Sequence, residues 1–226
     1  MERGEFIDLD SWARRAQFLF FKDYELPFFN VCSEVKIGPT LRLCRERGFS
    51  SSLACWFACQ RTINAVESFR LRLRPGAEGD DMPRIWRHER IDIGTTILND
   101  DGETFRFAYF PYADDFAEFS HGARESIARS RQGVMDERLD NDALIHGTTV
   151  PWLRFTSVTH PRRLSGEAAR LDAIPKIVFG RYDPRGDETW LPVSVEVNHA
   201  LMDGLHVGRF FEHLEQTLTQ ADETFA

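Results

Sequence analysis

Basic residues are the minority charge in this chain of 226 residues: 28 lysines and arginines against 36 aspartates and glutamates, a formal net charge of −8. General nucleic-acid binding needs a basic face that displaces phosphate counterions, and this balance argues against it. Apolar runs are short. None approaches the roughly 18 residues that mark a transmembrane helix, so no membrane span is expected. The opening MERGEFIDLDSW is too acidic and too poor in apolar residues for a secretory signal, and a cytoplasmic location is expected. Cysteine is sparse: Cys32, Cys44, Cys55 and Cys59. Cys55 and Cys59 share an apolar run with Trp56 and Phe57 and have no further sulfur or histidine ligand nearby. Buried thiols in a reducing compartment are therefore expected rather than a zinc site. Repeats and low-complexity linkers are absent too, which leaves a single domain over 1–226 as the expected organisation.

What the chain does have is aromatic and apolar weight, with 42% hydrophobic residues and 19 phenylalanines, enough for a sizeable core. DSWARRAQFLFFKDY opens on a capping group at Asp10 or Ser11 and then runs helically, with Trp12, Phe18 and Phe21 on an inner side. FFNVCSEVKI, closed by Gly38 and Pro39, reads as a strand. SSLACWFACQRTINAVESF reads as a long buried helix capped by its serines, and ADDFAEFSHGARESIARSRQG as a helix with a charged outer face. Strands are expected on both sides of a loop from Pro75 to Pro83, in ETFRFAYF, in PWLRFTSVTH and in KIVFGRY. WLPVSVEVN alternates strictly and puts Leu191, Val193, Val195 and Val197 on one face. After His199 the period lengthens, and Val207, Phe210, Phe211, Leu214 and Leu218 mark an amphipathic helix. Strands separated by helices, with hairpin-like pairs between them, predict an α/β fold, a two-layer sandwich with a mixed β-sheet.

The junction of the last two elements, VEVNHALMDGLHVGRFF, concentrates polar chemistry among valines and phenylalanines. His199 continues the face of the four apolar strand residues, which aims its imidazole at a dry environment. Burial disfavours the imidazolium and leaves a neutral ring able to take a proton at pH 7. Gly204 points to a tight turn ahead of the helix. Two other readings compete with a general base. One is a hydrogen-bonded core histidine at a strand end. The other is a metal site from His199, Asp203 and His206, which Gly204 disfavours by interrupting the helical geometry; no metal is expected.

NHALMDGLHVGRF resembles the active-site signature of the type A chloramphenicol acetyltransferases, His-His-x-x-x-Asp-Gly-x-His-Val. DLDSWARRAQF is similar to the family's opening Trp-x-Arg-Lys/Arg-x-x-Phe segment. ETFRFAYFPYADDFAEF resembles its central Glu-Thr-Phe … Asp-Asp-Phe stretch, and PWLRFTSV its Pro-Trp-Val-x-Phe-x-Ser-Phe segment. IPKIVFGRYDPRGDETWLPVSVEV is similar to the run that leads to the catalytic histidine. The likeness is collinear over nearly the whole chain. That matters because condensation domains and plant-type acyltransferases share the short His-x-x-x-Asp-Gly signature.

The resemblance implies the chloramphenicol acetyltransferase-like fold and an acetyl-CoA-dependent O-acetyltransferase. It implies that His199 is the general base on an acceptor hydroxyl attacking the thioester directly, and that Ser157 donates to the oxyanion. It makes Asp203 and Arg14 a buried ion pair that shapes the site, and puts Arg181 and Tyr182 near the coenzyme. Phe21, Phe28, Leu98, Ile145, His146 and Val178 fall in the acceptor pocket. Acetyl-CoA is implied as co-substrate with no tightly bound cofactor, and chloramphenicol as an acceptor. The implied assembly is a homotrimer in which His199 of one subunit faces the acceptor pocket and Ser157 of the next. These residue types suit the reaction: a thioester is already activated, so transfer needs a base with a pKa near 7 and a donor where charge develops.

Departures from the family pattern gather in the acceptor wall. Asn198 replaces the first of the paired histidines. Val178 falls where a threonine usually holds a water near the intermediate, Phe21 at a tyrosine position and Leu98 at a phenylalanine position. Ile145 and His146 lie where the family places adjacent phenylalanines. The retained set of His199, Asp203, Arg14 and Ser157 argues for catalysis. The rebuilt wall keeps open an acyltransferase with another acceptor or acyl donor, and a non-catalytic binder of apolar ligands is the third reading.

Overall fold

A computed structural model describes residues 3–133 and 141–226. Strand β1 (Gly4–Phe6) precedes helix α1 (Arg15–Phe21), strand β2 (Phe28–Lys36) and helices α2 (Gly38–Arg47) and α3 (Ser51–Ala65). Strands β3 (Leu71–Arg74), β4 (Arg84–His88), β5 (Asp92–Leu98) and β6 (Phe105–Phe110) follow, then helix α4 (Phe116–Arg131). Next come β7 (Leu144–Thr149), the short α5 (Glu167–Arg170), β8 (Lys176–Phe179), β9 (Asp183–Arg185), β10 (Glu188–Asn198) and α6 (Gly204–Thr219), with α7 (Ala221–Thr224) after it. The main sheet has the order β2-β10-β8-β7-β5-β6, with β9 alongside β10, and β1-β4-β3 form a separate small sheet. β7 runs parallel to both β5 and β8, while β10 is antiparallel to β2 and β8. The expected mixed-sheet α/β architecture is what the chain forms.

Helices α2, α3, α4 and α6 cover one face of the main sheet. β10 is central because its odd face, Leu191, Val193, Val195 and Val197, is wholly buried beneath them. α6 docks there through Val207, Phe210, Leu214 and Leu218, the period-3.6 stripe read from the sequence. The even face of β10 is buried as well, but it is polar: Ser194, Glu196 and Asn198. Buried polar groups persist only when hydrogen-bonded. Ser194 pairs with Asn30, Glu196 with Arg162, and Asn198 with the Asp172 carbonyl.

Several local expectations need correction. The expected cap at Asp10 or Ser11 is not made: the Asp8 carboxylate instead accepts from the Asp10 amide at 3.2 Å and the Ser11 hydroxyl at 2.7 Å. That bond set folds a turn, so α1 starts only at Arg15 and has no side-chain cap. Gly38 and Pro39 end the strand as expected but also open α2, because proline in a first helical turn forfeits no intrahelical bond. PWLRFTSVTH is not a strand. β8 already has β10 and β7 on its two edges, so the segment carrying Pro151 and Pro161 cannot enter the sheet beside it. The neighbouring strand is β7, LIHGTT, whose glycine broke the pattern that would have marked it. Gly147 is required there, since a Cβ would lie 2.4 Å from the Trp56 ring on α3.

A buried arginine ties the small sheet to the start of β7. Arg72 is fully enclosed and donates to the carbonyls of Phe69, Leu71, Asp142 and Leu144. Burial lowers its pKa to about 10, which leaves it charged at neutral pH. The four cysteines are free thiols, and burial pushes Cys55 up to about 12. Among the described residues no helix is long and apolar enough to cross a membrane.

Candidate active site

His199 lies one residue past the end of β10, where the chain turns toward α6. Its backbone is held on both sides. The His199 amide donates to the Pro27 carbonyl at 2.6 Å, and its carbonyl accepts from Arg14 Nη2 at 3.4 Å. The imidazole is stacked on Phe21, with ring centroids 4.0 Å apart and planes 10° from parallel, and it leans on Phe29 at 4.6 Å. Nδ1 is buried without a hydrogen-bond partner among the described residues, which leaves Nε2 as the accessible ring nitrogen. Asn198, the departure from the paired histidines, braces the same turn: its carbonyl accepts from the Ala200 amide and its amide donates to the Asp172 carbonyl.

Asp203 caps α6 and is ion-paired with Arg14, whose side chain is largely buried. The guanidinium thereby links the helix cap to the His199 carbonyl, so one cation fixes both ends of the turn. Burial pushes the Asp203 carboxyl up, but hydrogen bonds from Arg14 and His206 and their nearby charges hold it below the usual carboxylate range. His206 Nδ1 sits 3.2 Å from the Asp203 amide and 2.9 Å from Oδ1. One nitrogen serves one of these at a time: unprotonated it accepts from the amide, protonated it donates to the carboxylate. Gly204 does not form the expected special turn. It begins α6 without a positive φ, and a Cβ there would meet nothing within 4 Å.

The remaining site residues implied by the resemblance are not gathered around His199. Ser157 is exposed, on the irregular stretch after β7. Arg181 is exposed with its amide on the Leu153 carbonyl, and Tyr182 packs on the helix-side core with its hydroxyl 3.5 Å from Cys55 Sγ. Burial raises the Tyr182 phenol well above its ordinary value. Leu98 and His146 line a cavity of about 680 Å³ on the sheet face opposite the helices. Ile145 does not join them. Adjacent strand residues point to opposite faces, and Ile145 is wholly buried in the helix-side core. Val178 points to the outer face between Ser194 and Thr148 but is covered, and Phe28 lies under the Arg162 guanidinium at 3.5 Å.

A charged cluster on this outer face went unread in the sequence. Arg162 donates to Glu196 through Nε at 2.8 Å and to Asp172 at 2.6 Å, and His160 Nδ1 lies 3.2 Å from Glu196. Burial opposes the Glu196 charge, but the hydrogen bonds from His160 and Arg162 hold its carboxyl down to about 2. The signal was present. A carboxylate between Val195 and Val197 on a buried strand demands a cation, and the sequence does not say which of many arginines supplies it. His146, in the cavity wall, is pushed down to about 4 by burial and by nearby Lys176.

A family model for chloramphenicol acetyltransferase matches residues 4–215. The chloramphenicol acetyltransferase of Streptomyces acrimycini is 28% identical over 214 residues, covering 94% of this chain and 93% of that protein. Among solved structures, a chloramphenicol acetyltransferase superposes with a TM-score of 0.82 at 25% identity, over 94% of this chain and 98% of its own. The dihydrolipoamide acetyltransferase (E2p) of Azotobacter vinelandii superposes with a TM-score of 0.65 at 15% identity, over 93% of this chain and 89% of its own, a likeness of fold alone.

Proposed function

Because this chain belongs to the chloramphenicol acetyltransferase family and is an acyltransferase, we propose that it moves the acetyl group of acetyl-CoA directly onto an acceptor hydroxyl. His199 Nε2 takes the hydroxyl proton as the oxygen attacks the thioester carbonyl. The C–S bond then breaks, the proton passes to the thiolate, and the products are the acetyl ester and free coenzyme A. No acyl-enzyme forms. Ser157 donates to the oxyanion, Arg181 supplies a cation for the coenzyme phosphates beside Tyr182, and Asp203 with Arg14 holds the turn. The observation that carries this reading is the clamp on His199: stacked ring, pinned backbone and one accessible nitrogen. For Nε2 to accept a proton, the ring hydrogen must reside on the buried Nδ1.

The acceptor site is completed by a neighbouring subunit of a homotrimer. His199 does not line the outer-face cavity, and Ser157 is exposed on a segment without sheet partners. Large apolar side chains stand exposed in two groups, Phe20, Tyr24 and Leu26 on and just after α1, and Leu98, Phe105 and Phe107 at the cavity. Contiguous exposed apolar surface of this kind marks an interface, and head-to-tail contacts close into a ring. Chloramphenicol is the acceptor that the relatives' names suggest, and the altered wall favours a second reading, in which another alcohol is preferred. Acetyl-CoA is an intracellular metabolite, which fits a cytoplasmic enzyme with free thiols.

The test is complementation. His199→Ala and Ser157→Ala subunits, each inactive alone, are co-refolded in equal amounts and assayed for thiol release with acetyl-CoA and chloramphenicol. If each site takes His199 from one subunit and Ser157 from the next, random mixing restores roughly a quarter of the sites, one half times one half. No recovery from properly mixed oligomers means that each subunit carries its own site.

A further inference from the structure

The outer-face cavity is apolar along one wall and basic at the other. Leu98, Phe105, Phe107 and Trp152 are its large apolar lining residues. Lys176 supplies the charge at the basic end, beside its register partner His146. Lys176 is half-buried, and its ammonium donates to the Pro161 carbonyl at 3.2 Å. Among the described residues no carboxylate forms an ion pair with it. Its antiparallel partner on β10 is Glu196, but that carboxylate is taken by Arg162 and His160, and Asp172 is taken by Arg162 as well. Among the described residues the nearby acids thus bond to other partners, and a cation stands at the end of a largely apolar chamber.

We propose that the cavity takes an acceptor alcohol with an apolar body and a carboxylate, the carboxylate seated on Lys176. This rests on the proposed acetyl transfer at a shared site, with the cavity that Leu98 and His146 line serving as its acceptor pocket. Asp172 and Glu196 act on the half-buried Lys176 ammonium only from a distance, and a bound carboxylate would add a direct, charge-assisted hydrogen bond. A neutral ligand of the same shape makes no such bond, so the cavity discriminates between the two. His146, neutral at pH 7 because its pKa lies near 4, adds a hydrogen-bonding group without competing for the charge. Burial and the Arg162 charge lower the Lys176 pKa, the Asp172 and Glu196 charges oppose that shift in part, and an anion bound on the ammonium opposes it further. The volume of about 680 Å³ suits a drug-sized molecule.

The matched probes are 4-(hydroxymethyl)benzoate and its methyl ester, with chloramphenicol as a third acceptor, assayed on the wild type, Lys176→Met and Lys176→Arg. The wild type is expected to prefer the carboxylate by about tenfold or more in kcat/KM. That ratio should collapse toward one in Lys176→Met and persist in Lys176→Arg, and thermal melts confirm that all three are folded. Equal use of acid and ester by the wild type, or a preference kept by Lys176→Met, overturns the proposal. If no alcohol, chloramphenicol included, yields free thiol, the acetyl-transfer reading fails instead. Calorimetric titration with the same two compounds then decides the cavity by itself: carboxylate binding lost in Lys176→Met upholds the anion site, and no binding to the wild type refutes it.

Discussion

On its helix side the central strand β10 presents Leu191, Val193, Val195 and Val197; on the other side it presents Ser194, Glu196 and Asn198. Both sets are buried, yet by different rules. The helix side is satisfied by contact with any apolar neighbour of the right volume, so α6 and α3 close it within the chain. The outer side is satisfied only by particular partners: Asn30 for Ser194, Arg162 for Glu196, Asp172 for Asn198. Further along that side the sheet stops being covered, and Leu98, Phe105, Phe107 and Lys176 line a cavity. One face therefore holds the fold together, and the other lines an open cavity. His199 stands where the two meet, its ring continuing the apolar face onto Phe21 and Phe29 while its accessible nitrogen leaves it.

If that division is right, chemistry and stability should separate on mutation. His199→Ala should lower kcat by ~10²–10⁴, the range for loss of a general base. The protein should stay folded, because among the described residues the imidazole has no hydrogen-bond partner at Nδ1, and its ring is only partly buried. Thiol-release kinetics beside a thermal melt measure both. A folded variant that keeps most of its activity breaks the comparison at its centre.

The converse change lies on the helix side. Leu214 is wholly buried on α6 and far along the helix from the His199 turn. Leu214→Ala should cost about 2–5 kcal/mol of stability and lower the melting temperature by several degrees. Activity per folded molecule should hold at temperatures where the variant is native. Phe107→Ala, on the open face, should show the opposite pattern, with a small loss of stability in the single chain and a larger loss of acceptor binding. Denaturant melts and KM measurements on the two variants sharpen the contrast, and equal behaviour would erase it.

The same division governs how much was legible in the sequence. Helix-side structure follows from period alone, so β10, α3, α4 and α6 were readable, and the turn at His199 with its Arg14 and Asp203 came through the family motif. Elements whose residues answer to particular partners were not. β7 hid because Gly147 serves the Trp56 ring rather than an alternating pattern. The run after it carries strand-like residues but lies beside β7 and β8 in sequence, whose edges are both taken. Ile145 and His146 looked like two pocket residues until strand geometry sent them to opposite faces. Lys176 and Glu196, polar residues inside apolar strands, were the strongest unread signs of the outer face, since each needs a partner that spacing does not reveal.

The last and smallest expected effect concerns Glu196, the charge that most distinguishes the outer face from the inner. Its carboxyl, ordinarily near 4.5, is held down to about 2 by His160 and Arg162 against the opposing effect of burial. A folded-state value below the unfolded one stabilises the protein above the unfolded value and loses that stabilisation as pH falls toward the folded one. Here the window runs from about 4.5 down to about 2, and the contribution is on the order of 2–3 kcal/mol. Glu196→Gln keeps the shape and removes the charge, so it should be less stable than the wild type at pH 7 by about that amount. The gap should narrow as pH drops through 4 to 3, because protonation makes the wild type resemble the variant. Urea melts of both proteins at pH 7, 5, 4 and 3 follow the difference directly. A gap that stays constant over this range would mean that Arg162 and His160 hold Glu196 by shape rather than by charge, and the outer face would then obey the same packing rule as the inner one.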